Sequence, residues 1–461
     1  MPPLLAALLC FLLFFATTLG LAWPLAARLA LDPAEKFVAS VVLSLLGVYL
    51  AAWAVYVFTL PLATLSTLPA LAAAGLWFGR RPLAEILHDA DARSLVAGQS
   101  LVTLWCVGAL ALVKSYSGGQ WVGDWFGHLQ RAWFFLEHWR PDILFNGFDP
   151  LTSRPPLANV VTGAFLAITL RSFDHYQLIT TLLGSIAFLP AALLARRFGD
   201  GRAVATLAVL LMLSPLFVEN ATFAWTKLPA AFFALAALYF FLRAHDPRAP
   251  ASAGNLCAAG LAAALLTHYS AGPYAVVLAL AWLAFGWPRR GDAAWWRLTA
   301  GAALTGTLLL ATWFGWSLAV LGAHRTFLSN TAVTDQAPTL GAQLAVVALN
   351  LRDTFVPHFL RHVDGSTFTQ RSPWGWWRDW FFQLYQVDFF FAFGSVAWAA
   401  ILVCLARAWP RAPRGSRAFW AILIAGTAVL GVAVHGARNE WGLAHICLQP
   451  LVLLGLAFLA G

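Results

Sequence analysis

The sequence predicts an all-α polytopic membrane protein, and three observations predict it. The mean hydropathy is +0.73, with 61% apolar and 11% charged residues, a balance that lipid solvates better than water. Apolar runs rich in Leu, Ala, Val and Phe recur along the chain, bounded by Arg, Pro and Gly, without the two-residue alternation of a membrane barrel. The basic residues gather in short turns between those runs.

Taken in order, about thirteen spans are expected, near 3–27, 37–60, 62–78, 95–113, 176–195, 203–219, 228–243, 255–268, 272–287, 298–321, 388–406, 418–435 and 443–460. Those at 255–268 and 272–287 are short for a core of about 30 Å, so tilted or re-entrant helices are expected among them. The N-terminal run lacks a charged start and a small-residue cleavage site, and reads as a span rather than a secretion signal. The organisation follows: N-terminal extra helices over 1–94, a module over 95–321 that includes a first outer loop at 114–175, a second outer loop at 322–387, and C-terminal helices over 388–461.

Charge sets the expected orientation. Placing the basic turns 28–36, 80–93, 196–202, 243–248, 289–297 and 407–417 in the cytoplasm assigns 17 Lys+Arg and 8 Asp+Glu to that side, and leaves 12 and 12 of the 29 and 20 outside, so the whole net charge of +9 is internal. The pI of 9.7 then needs no nucleic-acid partner. Parity further requires that the apolar stretch 155–170 not cross, so it is expected as a helix at the outer leaflet. The N-terminus is then outside, the C-terminus inside, and the short loops near 219–227, 268–272 and 436–442 share the outer face with the two long loops.

Several chemistries lose their basis. Cys10, Cys106, Cys257, Cys404 and Cys447 all fall in apolar runs and read as packing residues. There is no metalloprotease HExxH, no phosphate-binding GxxxxGK[ST], no nucleophile-elbow GxSxG and no dinucleotide fingerprint.

The polar interruption at 117–156 carries the first site candidates. A helix starting near Gly123 places Asp124, His128 and Arg131 at i, i+4 and i+7 on one face, with Trp125, Phe126, Trp133 and Phe134 suited to the membrane interface. Asp124 has two readings, an N-cap or a general base that takes a proton from a hydroxyl with His128 or Arg131 balancing its charge. No second ligand stands at metal spacing from His128. Arg154, in Ser153-Arg154-Pro155-Pro156, is either a snorkelling interfacial residue or an anion contact beside a helix start.

The order of motifs, an Asp-bearing outer loop, a Pro-Pro-Leu helix (155–157), Arg-Arg-Phe-Gly (196–199), Leu-Ser-Pro-Leu (213–216) and Thr-Lys-Leu-Pro-Ala-Ala-Phe-Phe (226–233), resembles the GT-C glycosyltransferases. The similarity is to the protein O-mannosyltransferases and the lipid A aminoarabinose transferases, over about 95–290. It implies an inverting transferase moving a sugar from a polyprenyl-phosphate carrier to an acceptor hydroxyl on the outer face, with Asp124 at the position of the base. Asp124-Trp125 stands where the family often has two acids, Thr226-Lys227 where it often has Thr-Asp, and three helices precede the module.

In that light Lys227, at the end of a span, is either a snorkelling lysine or, with Arg154 and His268, a holder of the carrier phosphate. Arg438, in the last outer turn, is a solvated residue or another phosphate contact. In the second loop, His324, Arg325, Asp335, Asp353, His358, Arg361, His362, Asp364, Arg371 and the aromatics 374–381 read as an interfacial segment or a sugar-stacking surface. The expected partners are membrane lipid, the lipid-linked donor and a glycan, lipid or protein acceptor. No metal ligand set is apparent, and a divalent ion stays open. The expected location is a bacterial inner membrane with the site facing the periplasm. A flippase or an assembly partner for lipid-linked saccharides is the alternative.

Overall fold

The computed structural model describes residues 3–112, 122–246, 249–329, 339–356, 360, 389–440 and 442–461. The helices are α1 Pro3–Gly20, α2 Trp23–Ala26, α3 Pro33–Val57, α4 Thr67–Phe78, α5 Arg80–His88, α6 Ala90–Leu112, α7 Val122–Glu137, α8 Leu157–Ile168, α9 Phe173–Ser185, α10 Phe188–Phe198, α11 Ala203–Met212 and α12 Pro215–Thr222. Beyond them come α13 Lys227–Ala244, α14 Ser252–Thr267, α15 Gly272–Gly286, α16 Ala293–Leu328, α17 Leu340–Phe355, α18 Phe389–Ala392, α19 Ser395–Ala408, α20 Arg414–Ala433, α21 Ala444–Cys447 and α22 Gln449–Ala460. Among the described residues the only β feature is an isolated bridge between Phe145 and Asp149. The protein is an all-α integral membrane protein.

Among the described residues, eight helical stretches are long and apolar enough to cross a membrane, and up to ten if two bent pairs each count as one. Those pairs are Leu62–Phe78 with Arg80–His88, bent by 69°, and Ala203–Met212 with Pro215–Thr222, bent by 68°. At the second bend Ser214 accepts from the Phe217 N–H and Pro215 opens the new helix, which is how a chain changes direction without stranding backbone donors. The thirteen spans expected from hydropathy thus include stretches built from shorter or bent helices: the one near 255–268 is the 16-residue α14 and the one near 443–460 is α21 followed by the 12-residue α22.

Burial separates a central group from a lipid-facing one. The Phe173–Phe198 and Lys227–Ala244 stretches are 94% and 89% buried, whereas Ala293–Leu328 is 11% buried and exposes Leu304 and Leu308. Small residues allow the centre to close: a Cβ at Gly260 of α14 would meet Ala237 Cβ and the Phe233 carbonyl of α13 at 3.0 Å. Gly322, at φ +81°, breaks α16 and lets its last turn fold back so that Ser317 and Thr326 hydrogen-bond at 2.8 Å.

The helix after Pro155-Pro156 is buried among other helices, with Leu157, Val160, Val161, Ala164 and Phe165 at 2% exposure or less. A helix apolar on every face is most stable in an interior. At 12 residues, about 18 Å long, it is also too short to span.

Four of the six turns that the charge tally placed together are joined by ion pairs among the described residues. Glu35, with its side chain 3% exposed, accepts from the Tyr239 hydroxyl at 2.8 Å and Arg243 Nε at 2.9 Å. Arg243 also pairs with Asp246, Arg197 pairs with Asp246, and Arg196 with Asp91. This network fastens the N-terminal helix α3 to α13, and through Asp246 to α10.

Candidate functional site

A cavity of about 440 Å³ opens among α7, the Ser153–Pro155 segment, the start of α13, the turn before α15, the end of α20 and the 435–447 segment. Each short loop assigned to the outer face contributes to it: Trp225 and Lys227, His268 to Gly272, and Asn439. Sequence-distant polar residues converge there because each span must end in a turn, and the turns at one end of a bundle face one another.

Asp124 is the only acidic residue among the described residues that line the cavity. It is the third residue of α7, not the residue before the helix, so the N-cap reading is replaced by tertiary contacts. Its Oδ2 accepts from the Trp225 indole N–H at 3.2 Å and its Oδ1 lies 3.7 Å from Arg154 Nη2. Its side chain keeps 38% of its surface open to the cavity. Burial by itself raises the pKa, but Arg154, Lys227, His128 and the Trp225 hydrogen bond together outweigh it, and the carboxyl is held below the ordinary carboxylate range.

His128 lines the cavity one turn further on, 5% exposed. Its Nδ1–H donates to Asn159 Oδ1 at 3.0 Å, which leaves Nε2 with the lone pair. Burial, then the charges of Arg131 and Arg154, push its pKa down to about 3, so it is a neutral polar group.

Arg131 departs from the face shared in the sequence reading. It does not line the cavity: its guanidinium, in a residue 2% exposed, donates to the Gly127 and Pro150 carbonyls at 3.0 and 3.2 Å and to Ser153 Oγ at 2.7 Å, and lies 4.3 Å from the Phe145 ring centre. Burial, then Arg154, bring its pKa down to about 9. It organises the loop that delivers Arg154. Aromatic burial differs too, since Phe134 is fully buried rather than at an interface.

Lys227, 7% exposed, lines the cavity with its ammonium 3.9 Å from the Trp225 ring centre. His268 also lines it, its Nδ1 accepting from the Ser270 N–H at 3.2 Å, so its ring proton is on Nε2. Arg438 does not. It pairs with Asp353 at 3.3 Å and Glu440 at 3.1 Å, and its neighbour Asn439 reaches the cavity wall instead. Asp353, wholly buried, also takes Arg352, while Asn350 and Thr354 bind the backbone at Ala437, Asn439 and Leu443, so α17 clamps the last outer turn. His324 and Arg325 are exposed at the end of α16; Asp335, His358, Arg361, His362, Asp364, Arg371 and the aromatics 374–381 lie outside the described residues.

Sequence reasoning missed Trp225, Tyr269, His435 and His445. Tyr269 accepts from the Trp313 indole and donates to the Thr152 carbonyl at 3.1 Å, tying the turn to the Arg154 loop. For His445 the available signal was a lone polar residue in an apolar run; for Trp225 it was adjacency to Lys227. On its apolar side the cavity is walled by Val276 of α15 and by Leu430 and Val434 at the end of α20, all exposed on the protein surface at 37–51%. Among the described residues no group of three or more His, Cys, Asp or Glu is arranged to hold a metal ion.

The family described as dolichyl-phosphate-mannose-protein mannosyltransferase matches residues 153–316. That segment runs from Ser153 through most of α16. It takes in Arg154, Lys227 and His268, leaves Asp124 upstream, and falls where the motif order resembles the GT-C membrane glycosyltransferases. Two solved structures are similar in fold. One is ArnT from Cupriavidus metallidurans bound to undecaprenyl phosphate, at 18% identity and a TM-score of 0.48, the match covering 79% of this chain and 59% of that one. The other is ArnT from the same organism in the apo state, at 16% identity and a TM-score of 0.36, covering 73% and 72%. The chain thus spans about three fifths of the length of the first. No curated protein matches.

Proposed function

We propose that the protein is a glycosyltransferase that moves a sugar from a polyprenyl-phosphate carrier to an acceptor hydroxyl on the outer face of the membrane. What carries the reading is one cavity in which Asp124, the one carboxylate among its described wall residues, faces Arg154 and Lys227, with an apolar side that reaches the protein surface. A phosphodiester with a hydrocarbon tail matches each part: the phosphate against Arg154 and Lys227, the tail leaving past Val276, Leu430 and Val434.

Asp124 takes the proton from the acceptor hydroxyl, that oxygen bonds to the anomeric carbon from the face opposite the phosphate, and the carbon–oxygen bond to the phosphate breaks with inversion. The charge gained by the departing phosphate falls on Arg154 and Lys227, which are placed before the reaction starts. Binding itself prepares the base: an anion beside the two cations offsets their pull on Asp124 and raises its proton affinity. The charge balance of the turns supports an outward-facing site, the reading that fits a bacterial inner membrane.

The low proton affinity of Asp124 favours one second reading, a flippase or assembly partner that uses the same charges for binding alone. Proteoliposomes loaded with undecaprenyl-phosphate hexose and total envelope lipid and protein as acceptor separate the two. Labelled sugar recovered on an acceptor supports the transferase; movement of intact donor across the bilayer without transfer replaces it with the carrier.

A further inference from the structure

Trp225 stands at the junction of the two opposite charges of the cavity. Its indole N–H donates to Asp124 Oδ2 at 3.2 Å, and its ring face carries the Lys227 ammonium at 3.9 Å. The residue is 3% exposed and is flanked by Phe223, ring centres 4.3 Å apart, and His445, 5.7 Å apart. The backbone that delivers it is strained: Ala224 holds φ at +62°, a left-handed conformation that persists only where its surroundings over-determine it. The direction of the indole is therefore imposed by the packing of α12 and α13.

A carboxylate and an ammonium facing the same enclosed space attract each other strongly when little water screens them. Left unobstructed, they close to a direct ion pair. Here Asp124 has Arg154 as its ion-pair partner, and among the described residues Lys227 pairs with no carboxylate.

We propose that Trp225 is a positioning residue that keeps Lys227 from pairing with Asp124, holding the ammonium on its ring face as an anion site while its N–H occupies one edge of the carboxylate. The proposal rests on the reading of the cavity as a carrier-phosphate site. Its chemical content is that a collapsed Lys227–Asp124 pair serves neither role: the ammonium is neutralised for phosphate, and the carboxylate for a hydroxyl proton. A ring face attracts a cation without carrying charge, so it can yield the ammonium to a phosphate oxygen in a way that a carboxylate cannot. This also accounts for a lysine at 227 being compatible with an acid at 124.

The test uses the full chain in nanodiscs, with undecaprenyl phosphate as the probe. Trp225→Phe, which keeps a ring face and loses the N–H, is expected to bind within about threefold of the unchanged protein, and Trp225→Leu about tenfold or more weakly. Adding Asp124→Asn to Trp225→Leu removes the competing carboxylate and restores binding to within about threefold of Asp124→Asn alone. Trp225→Met is carried in parallel should the leucine variant fail to purify.

A second measurement needs no carrier. The chain has three lysines, Lys36, Lys114 and Lys227, so peptide mass spectrometry reads amine-reagent labelling of Lys227 directly. Labelling is expected to slow in Trp225→Leu and to recover in the double variant. Trp225→Leu that binds and labels like the unchanged protein overturns the proposal, as does a loss that Asp124→Asn leaves unrepaired. Unchanged protein that shows no affinity for undecaprenyl phosphate overturns the carrier-site reading instead, while the labelling result still decides whether Trp225 keeps the charges apart.

Discussion

Asp124→Asn separates chemistry from binding at this site. Asparagine keeps the volume of the side chain, and its amide oxygen can still accept from the Trp225 indole, so the local packing is preserved. What disappears is the proton acceptor, and general base catalysis contributes roughly 10²–10⁴ in rate, equivalent to about 3–5 kcal/mol. Binding changes in the opposite sense. At 3.7 Å the Arg154 interaction would be about 4–5 kcal/mol at an effective dielectric of 20. The side chain is 38% exposed, and that figure is discounted for screening to about 1 kcal/mol. Releasing Arg154 from Asp124 therefore makes the phosphate site equal in affinity or up to about fivefold tighter. The assay is sugar transfer from undecaprenyl-phosphate hexose in proteoliposomes, with undecaprenyl phosphate binding measured on the same preparations. Turnover reduced about 10²-fold or more with binding unchanged or tighter is the expected result. Full turnover would remove Asp124 from the mechanism, and parallel loss of binding and turnover would make it a structural residue.

Arg154→Gln leaves one of the two phosphate-facing cations and is expected to weaken undecaprenyl phosphate binding about tenfold, with a shallower salt dependence than the unchanged protein, read by titration at two ionic strengths. The pH profile carries a sign: turnover needs ionised Asp124, so it is present above the pKa and lost as pH falls through it. Because bound phosphate offsets Arg154 and Lys227, the acid limb of kcat is expected at higher pH than that of kcat/KM, and coincident limbs would refute the coupling. Arg131→Met strands the Pro150 carbonyl and Ser153 hydroxyl that it binds, and is expected to cost about 2–4 kcal/mol, seen as a lower thermal transition in detergent, with activity lost through the displaced Arg154 loop. Arg243→Met leaves Glu35 buried without its cation and is expected to destabilise by about 3–5 kcal/mol, while Glu35→Gln combined with it recovers most of that loss in the same thermal assay.

Much of the fold was legible because lipid imposes a single strong rule, that a spanning segment be apolar and helical, and the apolar runs of the sequence do form helices. What the rule does not reach is the segment that is apolar without spanning. The 157–168 helix has the composition of a span, and only its length and the parity of the basic turns set it apart; that it is enclosed by protein depends on neighbours such as α3 and α14, about a hundred residues away on either side. For the site, the residues with formal charge were legible as candidates and their partners were not. Arg131, Arg154 and Arg438 look alike in the sequence, each an arginine in an outer loop. In the folded protein one is a buried strut for a loop, one faces Asp124, and one is consumed by Asp353. Their division of labour is decided by which carbonyls and carboxylates the turns bring near, information that exists only once the helices have packed.

The same logic explains why the substitution of lysine for the acid usual at 227 need not empty the site of function. A second acid would have placed two negative charges in one cavity and called for a further cation to hold them. A lysine instead leaves Asp124 as the lone acid among the described wall residues, balanced by Arg154 at 3.7 Å, with the ammonium in reserve on Trp225. Counting only formal charge on the described cavity wall, with Lys227 protonated and its imidazoles neutral, the site is positive by one, the state that a phosphodiester monoanion neutralises. A pyrophosphate-linked carrier, bearing one more charge, would leave the cavity negative at the moment further charge develops on the leaving group. A carrier with a single phosphate is thus the better electrostatic match, and competition for binding between undecaprenyl-phosphate hexose and undecaprenyl-pyrophosphate hexose would show the preference reversed if the cation count is wrong.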